Sequence, residues 1–296
     1  MNRILKPSLI AVACAAALSD PRAFAAKQEA ETPPAAPIGA EPLNLLKRYE
    51  ENTEGRDFVV GDLHGCYGLF MQLLDKISFD KERDRMFSVG DLGDRGPDSL
   101  KCLALIREPW FKAVAGNHEQ YILDAACQPN FNWQAWIQQG GAWATTITRE
   151  ELLDIAAEVA ELPLAIVVGK TVQKGEWTEF VRTFNVIHAE FHGPDEALDD
   201  ALENITTAHP VPLCVTWGRD LIDGKVDEAK HEGLSPTFVG HSIVQEVGRI
   251  GSHVFIDTGA FLASRPNASA QHGLTCVEPA TGSIYAVRPP ALANAA

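Results

Sequence analysis

The chain is poor in several features that mark common functions. Its 296 residues include six cysteines, none in a C-x-x-C pair, so a thiolate zinc knuckle is not indicated. If Cys14 leaves with an N-terminal segment, Cys66, Cys102, Cys127, Cys214 and Cys276 remain. Five cannot all pair, so no disulfide framework is expected, and Cys102 and Cys127 read as small core residues. Basic residues are scarce: 25 Lys and Arg face 40 Asp and Glu, for a formal net charge of -15. No Lys/Arg stripe exists to neutralise a nucleic-acid backbone, which argues against nucleic acid as a partner. The apolar run Leu9 to Leu18 is shorter than the roughly 20 residues of a membrane-spanning helix. No internal repeat is evident.

With 46% hydrophobic and 22% charged residues, the chain is long enough and apolar enough to bury one large core. The start is of another kind. Asn2, Arg3 and Lys6 precede the apolar run, and Ala23-Phe24-Ala25 fits a small-x-small cleavage site. Residues 1–25 therefore read as a cleaved export signal to a bacterial periplasm or the exterior, leaving no stable membrane insertion. An uncleaved anchor, lipidation at Cys14, and an unstructured extension on a cytoplasmic enzyme are the alternatives. Residues 26–55, rich in Pro, Ala and Glu over Lys27 to Ala40, are expected to form a flexible lead-in. One catalytic domain is assigned to 56–288 and a loose tail to 289–296.

Three short runs carry most of the chemistry: GDLHG (61–65), GDLGDRG (90–96) and GNHE (116–119). Each follows a strand-like apolar stretch (FVV, MFSV, KAVA) and precedes a helically spaced one. Strand, loop and helix thus repeat three times, and ligands bind at the carboxyl ends of strands in such sheets. A lone Asp after a strand commonly caps a helix, and a lone His is commonly packed. Three motifs brought to one sheet end instead offer O and N ligands for two neighbouring hard or borderline cations, the makings of a phosphate-ester hydrolysis site.

These motifs, in the forms GDLHGCY, SVGDLGDRGPDS and FKAVAGNHEQ, resemble the calcineurin-like metallophosphoesterases. The DRG run is similar to their phosphoprotein phosphatase group, in the bacterial and phage branch that includes the bacteriophage lambda phosphatase. NVIHAE (185–190), WGRD (217–220), FVGHS (238–242) and FIDTGAF (255–261) resemble the remaining family motifs in the same order. The resemblance implies that Asp62, His64 and His241 hold one metal, Asn117 and His188 a second, and Asp91 bridges both. It implies Mn²⁺ as the leading cofactor, two ions in all, with Fe or Zn as candidates at one position. Water between them would attack phosphorus directly. Arg95 and Arg219 would clamp phosphoryl oxygens, since planar guanidinium matches two at once; Arg107 and Arg182 are poorer candidates. His118 would protonate the leaving oxygen and Asp94 would orient its ring. Cys66 lies beside this site, but C-x5-R, the phosphate loop of Cys-dependent phosphatases, is absent.

The chain departs from the branch at HAE, where Asp is usual in place of Glu190, and at Ser242, where Thr is usual. Both departures bear on hydrogen bonding around the ligands. His192 is a rival ligand, but the apolar run FNVI places His188 at the strand end. His209, His231, His253 and His272 have no motif around them. NFNWQAWIQQGGAWATTI (130–147) is either a lid or aromatic packing under a helical insert, with packing preferred.

Helices alternate with strands early and strands dominate late, which predicts an α/β fold of two face-to-face mixed sheets, and the resemblance implies the α/β/β/α sandwich. The expected activity is metal-dependent phosphomonoester hydrolysis on phosphoproteins or phosphopeptides, Ser/Thr phosphate first and Tyr phosphate second. The alternative is a small-molecule phosphoesterase, such as a symmetrical dinucleoside tetraphosphate hydrolase. A phosphate-binding module with a retired site would lack a ligand or the acid, and none is lacking.

Overall fold

Alternation within short strands decides which layer each side chain enters. A computed structural model describes residues 45–203, 205, 212–227, 233–263, 265 and 268–288. One sheet runs β11 (Ser283–Val287), β10 (Leu274–Glu278), β2 (Asp57–Val60), β3 (Arg85–Ser88), β4 (Phe111–Ala113). The other runs β1 (Leu46–Glu50), β5 (Ala165–Lys174), β6 (Trp177–Ile187), β7 (Thr237–Val239), β9 (His253–Phe255), β8 (Gly248–Ile250). β2, β3 and β4 are parallel, with Val60 beside Ser88 and Ser88 beside Ala113. Their loops therefore open at one edge, followed by α1 (Tyr67–Lys76), α2 (Ser99–Ala104) and α3 (Asn117–Cys127).

Phe58, Val60 and Met86 point to the helical side with Phe70 and Leu73 of α1, while Val59 and Phe87 point to the opposite face. There they meet Ile166, Val168, Phe184 and Val186 of the second sheet. Phe87 and Phe184 form an edge-to-face pair at 5.8 Å across the layers. Ala165, Val167 and Ile187 face outward onto Leu198 and Leu202 of α6 (Asp195–Glu203). The period-two alternation yields three apolar layers and hence the α/β/β/α order. Each buried Val, Ile, Leu or Phe contributes about 1.5–3 kcal/mol. Among the described residues no helix is long and apolar enough to cross a membrane.

Residues 46–50 were expected inside a flexible lead-in, and the structure corrects this. They form β1, paired in parallel with β5 from Leu46 opposite Ala165 to Glu50 opposite Gly169. LKRYE has no apolar alternation to announce a strand. Leu46 and Tyr49 pack inward, and Arg48 reaches Asp199 and Glu203 of α6. The proposed export signal with Cys14, His209, His231 and the tail lie outside the described residues. The five cysteines after Cys14 are all free thiols.

The 130–147 stretch folds as α4 (Trp133–Gln138) and a 3-10 turn over Gly141–Thr146. Next comes α5 (Arg149–Val159), started by a capping box in which the Thr148 hydroxyl accepts from Glu151 N–H and the Glu151 carboxylate accepts from Thr148 N–H.

Candidate dinuclear metal centre

The three parallel strands end at one place, and hydrogen bonds lock their loops together. His64 N–H donates to Asp91 O at 2.8 Å and Gly65 N–H to Leu92 O at 2.9 Å, joining the first motif to the second. Glu119, fully buried, joins the second to the third. Its Oε2 accepts from Asp91 N–H and Gly116 N–H, both at 2.8 Å, and its Oε1 from Leu92 N–H at 2.9 Å. The second sheet contributes His188, just past β6, and His241, just past β7. The His241 N–H donates to Asp62 at 3.1 Å. Gly240 permits that approach, because a Cβ there would stand 1.9 Å from Asp62 Oδ1.

Backbone strain concentrates at these loops. His64, Asp91, Asp94, Arg95 and His241 have φ of 41°, 50°, 67°, 68° and 62°; Ser78 is the remaining non-glycine residue of positive φ among those described. Such conformations cost about 1–3 kcal/mol each and persist where the surroundings over-determine them.

Five residues converge here as two nests that share Asp91. Ligand atoms of His64, Asp91 and His118 lie within 4.8 Å of one another, as do those of Asp91, His188 and His241. His64 Nδ1 meets Gly93 O at 3.0 Å, which turns Nε2 inward to 3.4 Å from Asp91 Oδ2 and 3.9 Å from Asp62 Oδ2. His188 Nδ1 meets Val89 O at 2.7 Å, and its Nε2 lies 3.4 Å from Asp91 Oδ1 and 2.9 Å from Asn117 Oδ1. Backbone carbonyls thus set both tautomers. His241 was expected beside Asp62 and His64. Its ring instead turns to the second nest, with Nδ1 2.9 Å from Asn117 Oδ1 and the ring 5.0 Å from that of His188. The reason lies in the backbone: the His241 N–H donates to Asp62, and at φ of 62° the side chain takes the other side.

The donor set suits divalent cations. His241 Nε2 is buried with no hydrogen-bond partner among the described residues, and an orphaned imidazole nitrogen inside a carboxylate cluster suits a metal ligand. Burial, followed by Asp257 and Asp91, pushes Asp62 well above the carboxylate range. Burial, with Asp91 adding to it, pushes Asp257 up to about 6. Burial also opposes ionisation of Asp91, but His188, His118 and His64 outweigh it and hold that carboxyl low. Desolvation holds His64, His188 and His241 below the ordinary histidine value, the direction that metal ligation requires. Burial and Asp91 push Glu119 up to about 7 against its three N–H donors.

The groups expected from the sequence to handle protons and charge lie beside these nests. His118 Nδ1 sits 2.6 Å from Asp94 Oδ2, and His118 Nε2 meets Arg95 Nη2 at 3.0 Å. Burial works against the His118 cation, but Asp91 and Asp94 more than offset it and raise the pKa. Arg95 is exposed and stacks over Phe261 at 4.5 Å. Arg219 has no ion pair among the described residues. Its guanidinium is held by Ser242 Oγ at 3.1 Å and His241 O at 2.9 Å, so the serine found in place of the usual threonine still supplies a hydroxyl. The loop after Arg219 hangs on buried Glu190, which accepts from Leu221 N–H at 2.8 Å and Ile222 N–H at 3.0 Å.

Arg107 pairs with Glu158, and Arg182 with Asp195 and Asp199; both are structural. His192 belongs to neither nest, its Nε2 lying 3.6 Å from Glu190. His253 Nε2 accepts from Phe191 N–H. Four contributors escape a reading of the motifs: Glu119 as clamp, Asp257 as third acidic neighbour, and Trp136 and Trp143 against Asp94. The last three stand outside the loops that bear ligands, and only the GNHE and FIDTGAF runs hinted at the first two.

Paired sheets with paired O/N nests and two guanidinium groups, one on His118 and one on the His241 carbonyl, fit a metallophosphoesterase. The chain belongs to the calcineurin-like phosphoesterase family, whose profile matches residues 58–245. It is 34% identical over 219 residues to serine/threonine-protein phosphatase 1 of Salmonella typhimurium (strain LT2), covering 74% of this chain and 93% of that one. It is 46% identical over 68 residues to the symmetrical bis(5'-nucleosyl)-tetraphosphatase of Haemophilus ducreyi, 22% of this chain and 25% of that one. A crystal structure of a putative diadenosine tetraphosphatase superposes with TM-score 0.55 at 20% identity, covering 83% of this chain and 98% of the other. That likeness shows the fold.

Proposed function

We propose that the protein is a metal-dependent serine/threonine protein phosphatase with Tyr phosphate as a secondary substrate. The observation that carries this is the extent of the likeness: it spans 93% of a Ser/Thr phosphatase but a quarter of a dinucleoside tetraphosphatase. Bound by Asp62, His64, Asp91, Asn117, His188 and His241, a pair of divalent cations, Mn²⁺ first among them, would supply water ionised near neutral pH and positive charge against the phosphoryl group. The chain's residues do the rest. Arg95 and Arg219 bind and orient the phosphoryl oxygens. Once Arg95, whose Nη2 lies on His118 Nε2 at 3.0 Å, turns to the phosphoryl oxygens, His118 gives a proton from Nε2 to the departing serine or threonine oxygen, and Asp94 holds the opposite ring nitrogen. Residues 1–25, as an export signal, would place this activity in the periplasm.

Phosphate release from a phosphoserine peptide, p-nitrophenyl phosphate and a symmetrical dinucleoside tetraphosphate, measured side by side with Mn²⁺, tests the reading. Turnover of the peptide that collapses in Asp91→Asn and His118→Asn is expected. A kcat/KM for the dinucleotide far above that for the peptide would replace this reading with the dinucleotide hydrolase, which the 46% identical segment favours.

A further inference from the structure

The Trp-rich stretch was expected to be packing, and most of it is. Trp136 is fully buried and touches Tyr121, Phe131, Trp133 and Trp143. Two of its polar atoms are committed elsewhere. Trp136 Nε1–H donates to Asp94 Oδ2 at 2.8 Å, and Trp143 Nε1–H donates to Asp94 Oδ1 at 2.6 Å. Oδ2 is also the oxygen 2.6 Å from His118 Nδ1. Asp94 lies on a loop at φ of 67°, and its carboxylate is buried. A buried carboxylate with one partner can rotate about its last bond, and one gripped on both oxygens by rigid rings cannot. Indole is suited to this, because it offers one donor, no acceptor and only two side-chain torsions.

The backbone of the insert shows the same fit. Arg95 N–H donates to Gly140 O at 3.2 Å, and a Cβ on Gly140 would stand 2.3 Å from that nitrogen. A Cβ on Gly141 would stand 2.4 Å from the Trp136 ring. The glycine pair thus lets the insert lie directly on the Asp94-Arg95 loop while presenting both indoles to one carboxylate.

We infer that Trp136 and Trp143 are positioning residues for proton delivery: through their Nε1–H groups they fix the Asp94 carboxylate, which holds His118 toward the leaving oxygen. The inference rests on the reading of His118 as proton donor. Neither tryptophan touches substrate; both act through Asp94. The consequence is selective. Leaving groups that depart as poor bases need no proton, whereas the alkoxide of serine does.

The test uses the full-length protein with Mn²⁺ and four variants: Trp136→Phe, Trp143→Phe, the double variant and His118→Asn. Phenylalanine keeps a ring in place and removes the N–H. Each is assayed on a phosphoserine peptide and on 2,4-dinitrophenyl phosphate. General acid catalysis contributes about 10²–10⁴-fold, so the double variant should lose roughly 10–100-fold in kcat on the peptide with little change in KM, and less than about 3-fold on the aryl ester. His118→Asn should show the same selectivity, more strongly. If His118→Asn is selective and the double variant loses equally on both substrates, or on neither, the tryptophans are packing alone and this inference falls while the donor role of His118 stands. If His118→Asn shows no selectivity, both fall together.

Discussion

Glu119→Gln separates a clamp from a spectator. In the native protein one carboxylate holds three backbone N–H groups of two motifs, at 2.8, 2.8 and 2.9 Å. The Gln carbonyl can take the Oε2 position and keep Asp91 N–H and Gly116 N–H as neutral bonds. Above pH 7, where this carboxyl of raised pKa is ionised, each bond falls from the charged range, about 1.5–3 kcal/mol, to about 0.5–1.5. The Gln NH₂ group then faces the Leu92 N–H, donor against donor, and leaves a buried N–H unsatisfied at about 1–3 kcal/mol. Removing a buried charge offsets part of this loss, so a net destabilisation of about 3 kcal/mol is expected, a large share of the roughly 5–15 kcal/mol that holds a typical domain. For a domain of this size that corresponds to a fall in Tm of about 6–12 °C. Asp91 hangs from the same clamp, and support of this kind is worth about 10–100-fold in metal affinity. Thermal unfolding in EDTA and Mn²⁺ titration of the variant read the two effects separately. A Tm within about 2 °C of the parent, with unchanged metal affinity, would refute the clamp, since three lost or weakened buried bonds could not be that cheap.

Other perturbations probe different parts of the site. Mn²⁺ should raise Tm in the parent, by about 2.7 kcal/mol of stability at a hundredfold excess over Kd; His241→Ala should abolish most of that gain and Arg95→Ala should keep it, as differential scanning fluorimetry would report, and equal loss in both would mean that His241 is no ligand. Glu190→Asp withdraws a carboxylate from Leu221 and Ile222 N–H and should lower kcat/KM on the phosphopeptide about 10-fold, or 1.4 kcal/mol, through loss of Arg219 placement; kinetics matching the parent would detach Glu190 from the site. Burial is the main cause that raises Asp124 to about 6 from its ordinary value of 3.8. The fold therefore prefers the neutral acid, and its contribution is fully present below about pH 3.8 and is lost as pH rises through 6. Asp124→Asn should accordingly raise the urea midpoint at pH 7.5 and match the parent near pH 4, whereas the reverse order would show that the carboxylate is favoured in the fold.

Which residues would meet at the site was legible from the sequence because each motif is local: a glycine turn after an apolar strand brings Asp62, His64, Asp91, Asn117 and His118 to one edge whatever the rest of the chain does. The sandwich was legible for a related reason, since period-two runs with apolar residues on both faces require cover on both sides. β1 was not, because LKRYE is a strand only where the edge of β5 is offered to it. Nor was the side on which His241 falls. That depends on a backbone N–H to Asp62 and on a positive φ, set where two sheets meet across 179 residues of sequence.

The roles of Glu119, Glu190, Trp136 and Trp143 come from the tertiary structure alone. Each acts by meeting a backbone or carboxylate that lies between 27 and 49 residues away. Composition and spacing determined that this chain handles phosphate esters with metals, because ligand chemistry is written in a few adjacent residues. How firmly His118 and the two arginines are held was decided by packing, because a hydrogen bond between distant segments exists only once both have been brought to the same place.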